Sequence, residues 1–164
     1  RLLLTTHPVV VLVRDKQQEL PPLPVECEVA YDDDPGAGPL KALGTALRLL
    51  KGQCDAVLVI GCDYPFFDER TIGWLASQLG EHDAVVPHAD GRLQPLCAIY
   101  RTKLLPRVEA LTKDGVETIR TVAEEPNVRI LDEAALRRFD PRLRFLRNVN
   151  DPASYEAAVA ELGK

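Results

Sequence analysis

Three short stretches hold the residues that could do chemistry: "DDDPGAGP" at 32–39, "GCDYP" at 61–65 and "NVND" at 148–151. In the second, Asp63 follows the apolar run "AVLVI" and precedes Tyr64 and Pro65. A carboxylate is thus brought to the end of a buried strand, and proline stiffens the backbone behind it. Such a carboxylate is either exposed in a cleft or partly buried, and burial without a partner raises its pKa. A hard cation such as Mg²⁺ would remove that cost, because it takes oxygen ligands and joins one or two carboxylates to substrate phosphates. Capping of the following turn is the alternative use of an aspartate here. The Asp32–Asp34 triple has the same double reading. It is an acidic turn, or, with Gly36 and Gly38 and a helix starting near Pro39, a place to hold an anion or a nucleotide edge. Asn148 and Asn150 present two amide side chains around Val149, and a strand-to-helix turn accounts for them locally.

Other chemistries lack support. There is no G-x-G-x-x-G or P-loop, no defensible Ser-His-Asp or Cys-His arrangement, and His7, His82 and His88 have no metal-ligand spacing. Cys27, Cys54, Cys62 and Cys97 form no C-x-x-C pair and read as reduced thiols. A net charge of -5 gives no general attraction to nucleic acid or to anionic membranes. No apolar run is long enough to span a bilayer and no leader pattern opens the sequence, so a cytoplasmic protein is expected.

The chemistry needs elements to position it. At 164 residues, 46% apolar and 27% charged, the chain fits a single globular domain over 1–164. Continuous β-branched runs at 8–13, 25–31 and 55–60 read as strands buried on both faces. Leu40, Leu43, Leu47 and Leu50 mark one helical stripe, with Gly52 just past its end. A helix is expected over 68–79, strands over 83–87 and 95–100 around the Asp90-Gly91 turn, and helices near 103–111 and 116–124. Strands follow at 127–132 and 145–150. The last helix has Asp151 as N-cap, Pro152 at its first position, and Tyr155, Val159 and Leu162 on one face. Alternating strands and helices predict a three-layer α/β/α Rossmann-like domain with a mostly parallel sheet, whose ligands sit beyond the carboxyl ends of the strands. The three chemical stretches then share one rim.

Taken in order, "DDDPGAGPL", "VLVIGCDYPF", "DGRLQPLCAIYR", "DGVETIR" and "NVNDPASYEAA" resemble the molybdenum cofactor guanylyltransferases, nucleotidyltransferases of glycosyltransferase-A-like fold. The resemblance implies transfer of GMP from GTP to molybdopterin with release of pyrophosphate. It also implies Mg²⁺ as cofactor and transient contact with other molybdenum cofactor proteins. Asp63 would be the catalytic metal ligand on the nucleotide side, Asp32 would contact the guanine nucleotide, and Asn148 and Asn150 would lie near the pterin substrate. Positioning and charge neutralisation between two polyanions would carry the catalysis.

The family's opening strand and glycine-rich phosphate loop have no counterpart in this sequence, which begins on Arg1 and contains no methionine. The first β-loop-α unit is therefore expected upstream, roughly 40 residues long, and its strand is expected to lie centrally between 8–13 and 55–60. Without it the chain is expected to be weakly stable and catalytically poor. Two other readings share the fold: a nucleotidyltransferase using CTP or UTP on another phosphorylated substrate, and a non-catalytic domain.

Overall fold

Period-two alternation of apolar side chains builds a sheet with two buried faces, and the strands follow from it. The computed structural model describes residues 10–14, 19, 22, 27–31 and 38–163. The first strands, β1 (Val10–Arg14) and β2 (Cys27–Tyr31), pair in parallel. After α1 (Gly38–Leu50) come β3 (Ala56–Ile60), α2 (Glu69–Ser77), β4 (Ala84–Ala89), the short β5 (Arg92–Leu93) and β6 (Cys97–Arg101). The chain continues through α3 (Leu105–Lys113), α4 (Arg120–Ala123), β7 (Val128–Leu131), α5 (Glu133–Phe139) and α6 (Pro152–Leu162).

In β4, Ala84 and Val86 face one side and Val85 and Ala89 the other; in β6, Ala98 and Tyr100 oppose Cys97 and Ile99. The first set packs with Leu40, Leu43 and Leu47 of α1 and with Val108 and Leu111 of α3. The second packs with Leu75 of α2, Leu136 of α5 and Phe145. These are the three layers expected. Helix α1 buries one stripe, as the Leu40, Leu43, Leu47, Leu50 spacing requires.

The sheet is mixed, where a mostly parallel one is expected from the sequence. β6 lies between β3 and β4 and is antiparallel to both, while β4 and β7 pair in parallel. The Asp90-Gly91 turn does make a hairpin, with β5, and both residues have positive φ. The chain then returns as β6 into the slot beside β3, a long-range choice that local pattern does not encode. Among the described residues β1 pairs only with β2 and β3 only with β6, and α1 touches β1, β2 and β3.

Two other expectations change. No strand forms over 145–150. Leu143 adopts a left-handed conformation, Arg144–Leu146 make a 3-10 turn that buries Phe145, and the chain then runs on without a ladder partner. Helix α5, missed in the sequence, starts at Asp132, whose side chain accepts the Ala135 N–H at 2.7 Å. In α6, Tyr155, Val159 and Leu162 do share a face, but that face is exposed, and Ala158 is the residue the helix buries. Cys54, Cys62 and Cys97 are free thiols. Among the described residues no helix is long and apolar enough to cross a membrane.

The layer beneath α1 gives a direct test. Leu47 is fully buried, whereas Leu49, two residues on, is 43% exposed. Leu47→Ala is expected to lower unfolding free energy by about 2–5 kcal/mol and Leu49→Ala by no more than about 0.5 kcal/mol in denaturant titrations. Equal losses would contradict the layer assignment.

Candidate functional site

Strand β3 delivers its carboxyl end to the rim, and a glycine there lets the chain double back. The Gly61 N–H donates to the Leu96 carbonyl at 2.9 Å, extending the β3–β6 register by one residue. A Cβ at Gly61 would collide with the Asp63 carboxylate and would lie 3.2 Å from the Tyr64 ring. The absent side chain therefore allows Asp63 to fold over the strand end, half-buried, with Tyr64 beside it. Cys62, between them, is exposed.

The segment carrying the asparagines meets this turn. Val149 N–H donates to the Asp63 carbonyl at 2.9 Å. Asn148 and Asn150 flank that bond and are both exposed, while Val149 between them is half-buried. Asp151 then closes the segment with a capping box: its side chain accepts the Ser154 N–H at 2.9 Å, and its own N–H donates to Ser154 Oγ at 3.2 Å. Thus two of the three stretches singled out in the sequence, 85 residues apart between Asp63 and Asn148 by subtraction of their numbers, are brought together. Asp32 and the rest of its triple lie outside the described residues. At the near end of that loop, Gly38 has φ of +79°, and a Cβ there would stand 3.0 Å from the Glu117 carbonyl. The start of α1 is seated on the "DGVETIR" segment.

The surroundings are protic and mostly neutral. The Tyr64 hydroxyl donates to Gln94 Oε1 at 3.4 Å and the Tyr100 hydroxyl to the Pro95 carbonyl at 2.9 Å. Burial first, then the charges of Cys97 and Asp63, pushes the Tyr64 phenol up to about 12. Burial, followed by Asp63, also raises the Cys97 thiol, which stays protonated at neutral pH. Among the described residues no three His, Cys, Asp or Glu side chains cluster to hold a metal. A zinc-type cage is not built here, but a single rim carboxylate suits Mg²⁺, which keeps waters and completes its shell with substrate phosphate oxygens. Sequence reading passed over Phe66, Arg144, Arg147 and Glu161, which pack behind the asparagine segment. Arg144 and Arg147 lie in "RLRFLR", and the sequence reading of a strand over 145–150 gave them no partner.

The raised Tyr64 phenol has a consequence for stability. Its folded pKa exceeds the unfolded value near 10, so its contribution is complete below about pH 10 and is lost as pH rises through about 12. Guanidinium midpoints measured across that window should fall less steeply in Tyr64→Phe than in the parent. An identical slope would show that Tyr64 ionises as freely folded as unfolded.

Relatives carry the same architecture. The family profile of the MobA-like NTP transferase domain matches residues 1–130. A protein of Methanosarcina mazei named probable molybdenum cofactor guanylyltransferase is 30% identical over 160 residues, covering 92% of this chain and 70% of the relative. A protein of the same name from Methanothermobacter thermautotrophicus is 36% identical over 129 residues, 76% of this chain and 62% of its own length. Another, from Carboxydothermus hydrogenoformans, is 33% identical, and this chain spans 64% of it. The chain thus spans between 62% and 70% of the length of these relatives. The crystal structure of molybdopterin-guanine dinucleotide biosynthesis protein A from Archaeoglobus fulgidus superposes with a TM-score of 0.67 at 26% identity, over 83% of this chain and 68% of that one. A cytidylyltransferase structure from Thermus thermophilus, at 17% identity and TM-score 0.61, shares the fold. With the profile covering most of its residues, this chain belongs to the MobA-like NTP transferase family of nucleotidyltransferases.

Proposed function

We propose that the protein of which this chain is part transfers GMP from GTP to molybdopterin, and that Asp63 with the 148–150 segment forms the meeting point of the two substrates. The observation that supports this reading is the Val149-to-Asp63 backbone bond, which joins the turn carrying Asp63 to the segment carrying the two asparagines. The names of the relatives support guanine as the base and molybdopterin as the acceptor.

In this reading a terminal phosphate oxygen of the acceptor attacks the α-phosphorus of GTP. A new P–O bond forms, the bond to the bridging oxygen of the β-phosphate breaks, and pyrophosphate leaves with that electron pair. Asp63 would hold Mg²⁺, which supplies neutralisation of charge on the phosphate oxygens. The place of Asp63 at the end of a sheet strand limits its reorganisation. Asn148 and Asn150 donate or accept hydrogen bonds toward the acceptor. Asp32 takes the guanine side.

The test uses the full-length protein. Asp63→Asn is expected to lower guanylyl transfer by about 100-fold or more while leaving the unfolding midpoint nearly unchanged, since the half-buried carboxylate holds no described side chain or backbone donor. GTP with Mg²⁺ should bind more tightly than CTP or UTP by isothermal titration. Unchanged turnover would remove the metal role, and a preference for CTP would remove the guanylyl assignment.

A further inference from the structure

Two guanidinium groups lie against one ring behind the asparagine segment. Arg147 Cζ is 4.4 Å and Arg144 Cζ 5.0 Å from the centroid of Phe66, which is buried in the turn that carries Asp63. Both arginines also reach Glu161 near the end of α6: Arg144 Nη2 is 2.8 Å from Oε1 and Arg147 Nη1 is 2.8 Å from Oε2. One carboxylate therefore bridges two cations, each oxygen taking one. Hydrogen bonding from Arg147, together with the charges of Arg147, Arg144 and Arg142, holds Glu161 below the usual carboxylate range.

The arrangement links three pieces of chain. Phe66 belongs to the Asp63 turn, Arg144 and Arg147 lead directly into Asn148, and Glu161 belongs to the helix that follows Asn150. Arg147 reaches back to Phe66 and Glu161, one residue before Asn148 and two before the Val149 N–H that meets Asp63. A planar guanidinium can stack on a ring and bond a carboxylate in its own plane at once, which an ammonium cannot. Arg144 Nε is buried without a hydrogen-bond partner, so this side chain accepts an unmet donor in order to keep its place over the ring.

We propose that Phe66, Arg144, Arg147 and Glu161 form a clasp that fixes the spacing between Asp63 and the asparagines, which makes them positioning residues for the transfer reaction. This rests on the functional reading above for its purpose, but not for its geometry. Ring, cations and carboxylate hold the approach segment against the turn from behind, and the Val149-to-Asp63 bond is the contact they maintain. The front of the segment is left free, with both asparagines exposed.

Amide hydrogen exchange of the full-length protein without substrate tests the clasp. Phe66→Leu and Glu161→Gln should each speed exchange of the Val149 amide by roughly tenfold or more while the Gly61 amide, bonded to Leu96, changes by less than about threefold. Phe66→Tyr, which keeps the ring face, should restore Val149 protection; a purely apolar role would be served as well by leucine. In the full-length protein Phe66→Leu should lower kcat with the KM for GTP unchanged. Unaltered Val149 exchange, or acceleration of Gly61 and Val149 in step, would overturn the clasp. Absence of guanylyl transfer in the parent protein would defeat the functional reading and leave the exchange result standing.

Discussion

A single backbone hydrogen bond, from Val149 N–H to the Asp63 carbonyl, joins two distant parts of this chain. Everything around it serves to present its two ends. Strand β3 is held by β6, whose register continues through Gly61 to Leu96, so the position of Asp63 is set by the sheet. On the other side a 3-10 turn buries Phe145, and the Asp151–Ser154 box fixes the start of α6, so the four residues between have little freedom. A bond of this kind contributes only about 0.5–1.5 kcal/mol by itself. Its importance is geometric, because a reaction between two polyanions depends on placement more than on any covalent work by the protein.

The sheet explains why the rim can hold such a site. With apolar layers on both faces, Ala84, Val86 and Tyr100 toward α1 and α3 and Val85, Cys97 and Ile99 toward α2 and α5, polar groups are driven to the strand ends. There the backbone N–H and carbonyl groups still need partners, and loops must supply them. Gly61 shows the local cost of crowding: Asp63 and Tyr64 occupy the space that any side chain at 61 would fill. Burial raises both the Tyr64 phenol and the Cys97 thiol, so the two groups beside Asp63 are neutral at neutral pH.

Much of this was legible in the residues. The run into Asp63, the α1 leucine stripe, the Asp90-Gly91 hairpin and the Asp151 cap each rest on local rules of periodicity, turn geometry or capping, and each is found. What escaped depends on long-range choices. Insertion of β6 between β3 and β4 makes the sheet mixed, although nothing in "CAIYR" states which neighbours it will take. The 145–150 stretch has strand-like composition, but burial of Phe145 in a tight turn leaves no ladder for it to join. The arginines of "RLRFLR" look solvated until Phe66, about 80 positions earlier by numbering, is folded beneath them. The nucleotide side remains a matter of family resemblance, since Asp32 lies outside the described residues.

The account stands or falls on whether a metal at Asp63 and the two asparagines share one site. Mn²⁺ in place of Mg²⁺ makes this measurable, because its unpaired electrons broaden nearby NMR signals. With GTP present, the side-chain amide signals of Asn148 and Asn150 should broaden strongly on addition of Mn²⁺, and that broadening should vanish in Asp63→Asn. Sharp asparagine signals beside a bound metal, or broadening that survives Asp63→Asn, would contradict a shared site.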